Sequence, residues 1–381
     1  MSQSFDPASS LPDDWREGRF VGRVDRGDGP CPILIEGGEV FDMSKFAPTV
    51  AELVARPDVS TAGGELLGPL EGLGIGSGAS AVRLLSPIDL QCVKAAGVTF
   101  AVSALERVIE ERARGDAGQA AAVRGRLEDR IGGSMRAVKP GSSEAAELKA
   151  ALIEDGMWSQ YLEVAIGPDA EIFSKCPALA SVGWGEPIGV RSDSTWNNPE
   201  PEVVLLCTAE GEPIGATLGN DVNLRDFEGR SALLLSKAKD NNASTSLGPF
   251  VRLFDSGFGM DDVRAAQVTL RIDGEDGYVL DGSSSMREIS RDPADLAKQA
   301  MSEHHYPDGF VLFLGTLFAP TQDRDDPGRG FTHKPGDVVT ISTPRIGTLV
   351  NQVTTSKAAP PWAFGIGALM QNLASRGLLV G

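Results

Sequence analysis

The chain is poor in the residues that build several common kinds of site. Its 381 residues hold four cysteines, Cys31, Cys92, Cys176 and Cys207, and three histidines. The cysteines are scattered with no C-x-x-C pair, which argues against a zinc ribbon or a disulfide framework and for a reducing, cytoplasmic setting. His304, His305 and His333 fall near a helix end and in a loop, where a surface or capping role is the expectation. No apolar run is long enough to span a bilayer, and the opening MSQSFDPASSLPDDWREG lacks an apolar signal core. Positive charge is also short: 35 Lys and Arg against 53 Asp and Glu leave a net charge of −18, which argues against nucleic acid or an anionic membrane as partner. There is no G-x-S-x-G elbow, no H-E-x-x-H and no G-K-[ST] loop. In Gly72–Gly78, Ser77 stands where a dinucleotide loop needs its third glycine, so the stretch reads as a linker.

What is abundant is turn chemistry. Forty-five glycines and 24 prolines imply a β-rich fold. The order along the chain is a small β-rich N-terminal domain (1–82), then a larger domain (83–381) with a helical insertion around 103–156, then a long β region. That order is α+β. Val102, Leu105, Val108 and Ile109 share helical spacing, and the arginines from Arg107 to Arg136 alternate with glutamates, as on a solvated, salt-bridged face. A strand is expected over Cys92–Ala101, and Val203–Cys207 reads as a buried strand with Pro213–Leu218 as its hairpin partner. Val268, Leu270 and Ile272 alternate with polar neighbours, and Asp337–Val353 reads as a further hairpin.

One stretch, Pro199–Phe250, concentrates chemistry. Glu200 and Glu202 lie two apart, so on an extended chain their carboxylates share a face roughly 7 Å apart. Two like charges so close call for a cation. Asp221, one hairpin later, completes an all-oxygen set suited to Mg²⁺, with Mn²⁺ as an alternative, rather than Zn²⁺. Lys239 brings the set close to neutrality and leaves room for an anionic substrate.

These residues sit in motifs that resemble the fumarylacetoacetate hydrolase family: NPEPEVVL, GNDVNLRD and KDNNASTSLGP for the core, FVLFLGTLFAP and KPGDVVTISTPRIGTLVNQV for the closing strands. EIFSKCPALASVGWGEPIGV resembles the strand and loop before the first ligands. The resemblance implies a mixed β-roll, a homodimer or dimer of dimers, metal ligation by Glu200, Glu202 and Asp221, and an active-site lysine at Lys239. It also implies substrate contacts from Thr316, Ser181 and Lys239. Where hydrolytic members carry a water-activating histidine, this chain has Ser103, and Glu106 follows at the position of that histidine's acidic partner in some members. GVTFAVSALERVIEERARGD and WNNPEPEVV are instead similar to the 2-keto-3-deoxy sugar acid dehydratases. The implied activity is Mg²⁺-dependent dehydration of a 2-keto-3-deoxypentonate, 2-keto-3-deoxy-D-xylonate first, to 2-oxoglutarate semialdehyde in pentose catabolism. Ser103, Glu106 and Lys239 are then the catalytic candidates. The alternatives are a hydrolase of acylpyruvates or 2,4-diketo acids, and a metal-binding protein without catalysis.

Overall fold

The computed structural model describes residues 3–120, 138–318 and 320–379. Its largest sheet runs, neighbour to neighbour, through Glu65–Pro69, Glu39–Asp42, Pro30–Glu36, Arg19–Asp25, Thr245–Leu253, Pro213–Asp221, Pro201–Cys207, Phe310–Phe313, Cys92–Gly97 and Glu171–Cys176. The pairing along this path is antiparallel except between Phe310–Phe313 and Cys92–Gly97. Pro201–Cys207 and Thr245–Leu253 are buried at every position because both faces are covered. Val203 and Leu205 enter one apolar core with Phe250 and Leu312, while Val204 and Leu206 enter another with Val93 and Phe313. A strand covered on both faces reads as an unbroken apolar run, as Val203–Cys207 does; Thr245–Leu253, with Thr245, Ser246, Gly248, Pro249 and Arg252 in it, does not.

A second sheet orders Val279–Ser285, Gln267–Asp273, Val338–Thr343, Gly347–Thr355 and Ile188–Val190. Val268, Leu270 and Ile272 are buried in it and Gln267, Thr269 and Arg271 exposed, as the alternation required. The expected α+β roll is the observed fold. The expected strand Cys92–Ala101 ends early, at Gly97, because Val98 turns the chain with φ 57°.

The first 82 residues continue the large sheet. Phe20 lies opposite Arg252 and Val21 opposite Val251, and Phe20, Val24, Ile33 and Ile35 share a core with Phe250. The Gly72–Gly78 stretch is not a linker: Ile75–Gly76 pairs with Val82 and Arg83, Gly76 bridges Ser4, and Ile75 is buried.

The helices Ala101–Arg112, Ser143–Glu154 and Gln160–Ile166 form a separate apolar cluster through Ala104, Val108, Ile109, Leu152 and Leu162. Ser142 caps the second of these, its hydroxyl accepting from Ala145 N–H at 3.2 Å. Most of the basic run expected up to Arg136 falls in 121–137, outside the described residues. No helix among the described residues is long and apolar enough to cross a membrane.

Candidate active site

The hairpin Pro201–Cys207 and Pro213–Asp221 sets the centre. Pro201 pairs with Asn220 and Glu202 with Gly219, which brings Glu200, Glu202 and Asp221 to one end of one face. Asp221 N–H donates to Glu200 O at 3.0 Å, and the Asn220 side-chain oxygen accepts from Glu200 N–H at 3.0 Å. All three carboxylates are buried, and one oxygen from each lies within 4.8 Å of the others.

Lys239, the last residue of the short helix Leu235–Lys239, reaches into this group. Its Nζ is 2.5 Å from Glu200 Oε2 and 3.1 Å from Asp221 Oδ2. Lys175, from the strand Glu171–Cys176, pairs with the other Asp221 oxygen at 3.0 Å. The remaining Glu200 oxygen meets Arg107 Nη2 at 2.5 Å. Arg107 also holds Glu110 at 2.7 Å and Glu228 at 3.2 Å, and Arg225 pairs with Glu110 at 3.3 Å and Glu106 at 3.7 Å.

Glu202 differs from its neighbours because its hydrogen-bond partners are neutral: Gly315 N–H at 2.7 Å and the Thr316 hydroxyl at 3.2 Å. Gly315 has φ 101°, and a Cβ there would run into Thr99 Oγ1, so only glycine lets this amide face the carboxylate. Ser103, on the helix Ala101–Arg112, donates its hydroxyl to Thr316 O at 2.5 Å. The structure therefore brings Ser103, Glu106, Glu200, Glu202, Asp221, Lys239 and Thr316 onto the walls of one cleft. Ser181 is not among them. Its Oγ is 2.7 Å from Ser86 Oγ, and it lines a different cavity, because the loop after Glu171–Cys176 turns away from the cleft.

Electrostatics separate the carboxyl groups. Burial opposes ionisation of Glu200, but Lys239 and Arg107 outweigh it and hold the group down at about 2. Burial pushes Glu202 well above the usual carboxylate range, and the Asp221 and Glu200 charges push the same way. Glu171 is raised to about 7, by burial first and then by the Glu228 charge. Lys239 is raised despite burial, since Asp221 and Glu200 favour its charged form.

A divalent cation fits these residues. Seven carboxylates (Glu106, Glu110, Glu171, Glu200, Glu202, Asp221, Glu228) surround or line the cleft against four cations (Arg107, Lys175, Arg225, Lys239). The excess of negative charge, and a Glu202 held only by neutral donors, is the electrostatic setting of a hard-metal site with oxygen ligands.

Arg107 and Glu110 overturn the reading of a solvated basic face: both are buried. Ser103, Glu106, Arg107 and Glu110 fall at i, i+3, i+4 and i+7, one face of the helix. That spacing was the available signal, and its polar character disguised it. His333, expected near the surface, is also buried, its Nδ1 3.1 Å from Asp337 Oδ2. The strand-borne Lys175 and the Arg225 of NLRD carried no periodic signal at all.

Residues 169–354 match the model of the fumarylacetoacetate (FAA) hydrolase C-terminal domain. Over 202 residues the chain is 32% identical to a probable 2-keto-3-deoxyxylonate dehydratase of Haloferax volcanii, covering 53% of this chain and 66% of the relative. Over 183 residues it is 31% identical to 2-dehydro-3-deoxy-D-arabinonate dehydratase of Saccharolobus solfataricus, covering 48% of this chain and 58% of the relative. The matched stretches thus span 58% to 66%, less than two thirds, of the length of these curated relatives. Among solved structures it is similar to 2-keto-3-deoxy-D-arabinonate dehydratase complexed with magnesium and 2,5-dioxopentanoate, with TM-score 0.60 and 23% identity over 88% of this chain and 99% of that one. It is also similar to a fumarylacetoacetate hydrolase from psychrophilic Exiguobacterium antarcticum, with TM-score 0.56 and 17% identity over the same shares. At these identities the solved structures establish the fold.

Proposed function

We propose, from the match of residues 169–354 to the fumarylacetoacetate hydrolase C-terminal model, that the cleft is the active site of a magnesium-dependent hydro-lyase for a 2-keto-3-deoxy sugar acid. The observation that carries this reading is a buried three-carboxylate cage facing a wall that has no histidine among its described residues, where Ser103 spends its hydroxyl on the Thr316 carbonyl. A serine so engaged is no base for activating water at neutral pH. The dehydratase names of the two curated relatives, and the magnesium and 2,5-dioxopentanoate named with one similar structure, support the same reading. 2,5-Dioxopentanoate is 2-oxoglutarate semialdehyde, the product of dehydrating 2-keto-3-deoxy-D-xylonate or its arabinonate-derived epimer.

Glu200, Glu202 and Asp221 would hold the Mg²⁺, or Mn²⁺ in its place. Bound there, the ion supplies Lewis acidity to the substrate's 2-keto oxygen and so acidifies the protons on carbon 3. Glu106 takes one of these protons onto its carboxylate, and the C–H electron pair becomes the bond between carbons 3 and 4. The carbon-4 hydroxyl leaves as water. Its proton comes from Glu171, whose carboxyl at about 7 keeps a proton near neutrality. Moving a carbon-5 proton to carbon 3 then gives a 4,5-enol, which tautomerises to the aldehyde. Lys239 neutralises charge on the developing enolate oxygen, and the Thr316 hydroxyl, turning its one proton from Glu202, donates to the substrate carboxylate. With its ion pairs closed the cleft has only about 20 Å³ of free volume, so admitting the acid requires Lys239 and Arg107 to separate from Glu200.

The test is incubation with the xylonate- and arabinonate-derived 2-keto-3-deoxypentonates and Mg²⁺, following the aldehyde proton by NMR. An aldehyde product with no carbon–carbon cleavage supports the proposal, and the faster epimer names the substrate. Chain-cleaved products from 2,4-diketo acids would make the protein a hydrolase. No turnover of any 2-keto acid, with stabilisation by Mg²⁺ retained, would make the cage structural.

A further inference from the structure

A second cavity, of about 310 Å³, lies outside the cleft and shares no lining residue with it. Its size is that of a small-molecule site. Arg23, in the middle of the strand Arg19–Asp25, lines it and is only 5% exposed. Two of its three guanidinium nitrogens, Nε and Nη1, are buried without a hydrogen-bond partner. The nearby acids are committed elsewhere. Asp25 accepts from Arg83 at 3.1 Å and from the amides of Gly27 and Gly29, and Asp89 accepts from Val50 N–H at 2.6 Å and Ala51 N–H at 3.0 Å. A buried, unpaired guanidinium is unfavourable and calls for an anion. Burial lowers its pKa, Arg83 adds to the effect, and Asp89 and Asp25 oppose it.

The rest of the wall has a second character. Trp362 and Phe364 follow Pro360 and Pro361, and Asn242 fastens this segment by donating to Ser356 O and Pro360 O, both at 3.1 Å. Ser86 and Ser181 share one hydrogen bond of 2.7 Å, so one of their two hydroxyl protons remains for another acceptor. Two wall residues, Leu179 with φ 67° and Ala243 with φ 60°, hold left-handed backbone that ordinary side chains avoid, a cost that accumulates at binding sites.

We propose that this cavity binds a small organic carboxylate with an apolar or aromatic body, the carboxylate on Arg23 and the body against Trp362 and Phe364. Its walls join the cleft through the chain itself. Leu179–Gly183 follows the strand that carries Lys175, and Asn242–Ala243 follows Lys239.

Benzoate is the probe, titrated into the full chain without metal and read by tryptophan fluorescence, since Trp362 is half-exposed on the wall, Trp15, Trp184 and Trp196 are buried, and the partly buried Trp158 packs on the helical cluster and does not line the cavity. Saturable binding is expected, and benzamide, the uncharged isostere, should bind at least about tenfold more weakly. Arg23→Met should weaken benzoate by a similar factor without lowering the melting temperature, because it removes an unpaired buried charge. Trp362→Phe should abolish the fluorescence change, and Glu202→Gln in the cleft should leave binding intact. If Arg23→Met does not fold, Ser181→Ala, read by fluorescence, and Trp362→Ala, read by titration calorimetry, take its place, and both should weaken binding. No saturable signal up to about 20 mM, binding indifferent to the Arg23, Ser181 and Trp362 variants, or binding lost in Glu202→Gln would overturn the proposal.

Discussion

Arg107 shows what one buried cation does in a surplus of acids. It touches Glu110, Glu200 and Glu228 at once, so Arg107→Met strands three carboxylates. We expect a loss of about 3 kcal/mol, read as a lower urea midpoint, and a loss of turnover. A variant as stable as the wild type would show that these acids do not depend on the guanidinium. Glu202→Gln tests the cage from the other side: the amide oxygen still accepts from Gly315 N–H and the Thr316 hydroxyl oxygen turns to accept from the amide NH2, so the fold should hold while Mg²⁺ affinity and turnover collapse. Full activity of that variant at ordinary Mg²⁺ would remove Glu202 from the ligand set. Glu171→Gln tests the proton donor. An acid near 7 is protonated below that pH and ionised above it, so wild-type kcat should fall as pH rises through about 7. The variant should be slow and lack that limb.

At the scale of elements, the helix Ala101–Arg112 presents two faces, Ala104, Val108 and Ile109 to a helical core and Ser103, Glu106, Arg107 and Glu110 to the cleft. Ser103→Ala breaks only its bond to Thr316 O, so a cost of about 1 kcal/mol with turnover largely kept is expected. A large fall in kcat would give Ser103 a chemical role. Gly315→Ala should be severe, because the side chain meets Thr99 and moves the amide that faces Glu202. Strands and ligands were legible where residue type and period agree. Val268–Ile272 alternates, Val203–Cys207 is unbroken, and the two-residue spacing of Glu200 and Glu202 can serve only one face of a strand. The polar helix face was not legible, because Arg and Glu at helical spacing describe a solvated helix equally well until tertiary packing encloses them. Lys175 was hidden for a different reason. A lone lysine in a strand says nothing about what lies beyond its Nζ, and here that is the Asp221 carboxylate and the carbonyl of Lys239, the latter 64 residues further along the chain than Lys175.

Across the whole molecule, an acid-sensitive clamp ties the second sheet together. Arg324 grips Asp337 through two hydrogen bonds of 2.6 and 2.7 Å, and His333 joins at 3.1 Å. Burial alone would raise Asp337, but His333 and Arg324 hold it down at about 2, below its ordinary 3.8. A depressed carboxyl stabilises the fold above its ordinary pKa and loses that contribution as pH falls toward the folded value. The stability gap between wild type and Asp337→Asn should therefore be full at neutral pH and close between about 4 and about 2, as urea titrations at stepped pH would show. The assembly expected from the resemblance, a homodimer or dimer of dimers, is open to sedimentation analysis.

The continuity of the large sheet across residue 82 has a practical consequence. The strand Thr245–Leu253 is paired on one side by Arg19–Asp25 and on the other by Pro213–Asp221, whose final residue is a cage carboxylate. Cutting the chain near 82 would leave 83–381 with an open edge one strand away from that carboxylate. The two pieces should thus behave as a split protein: inert apart, and regaining Mg²⁺-dependent thermal stabilisation when co-expressed, as strand Arg19–Asp25 slots back beside its partner.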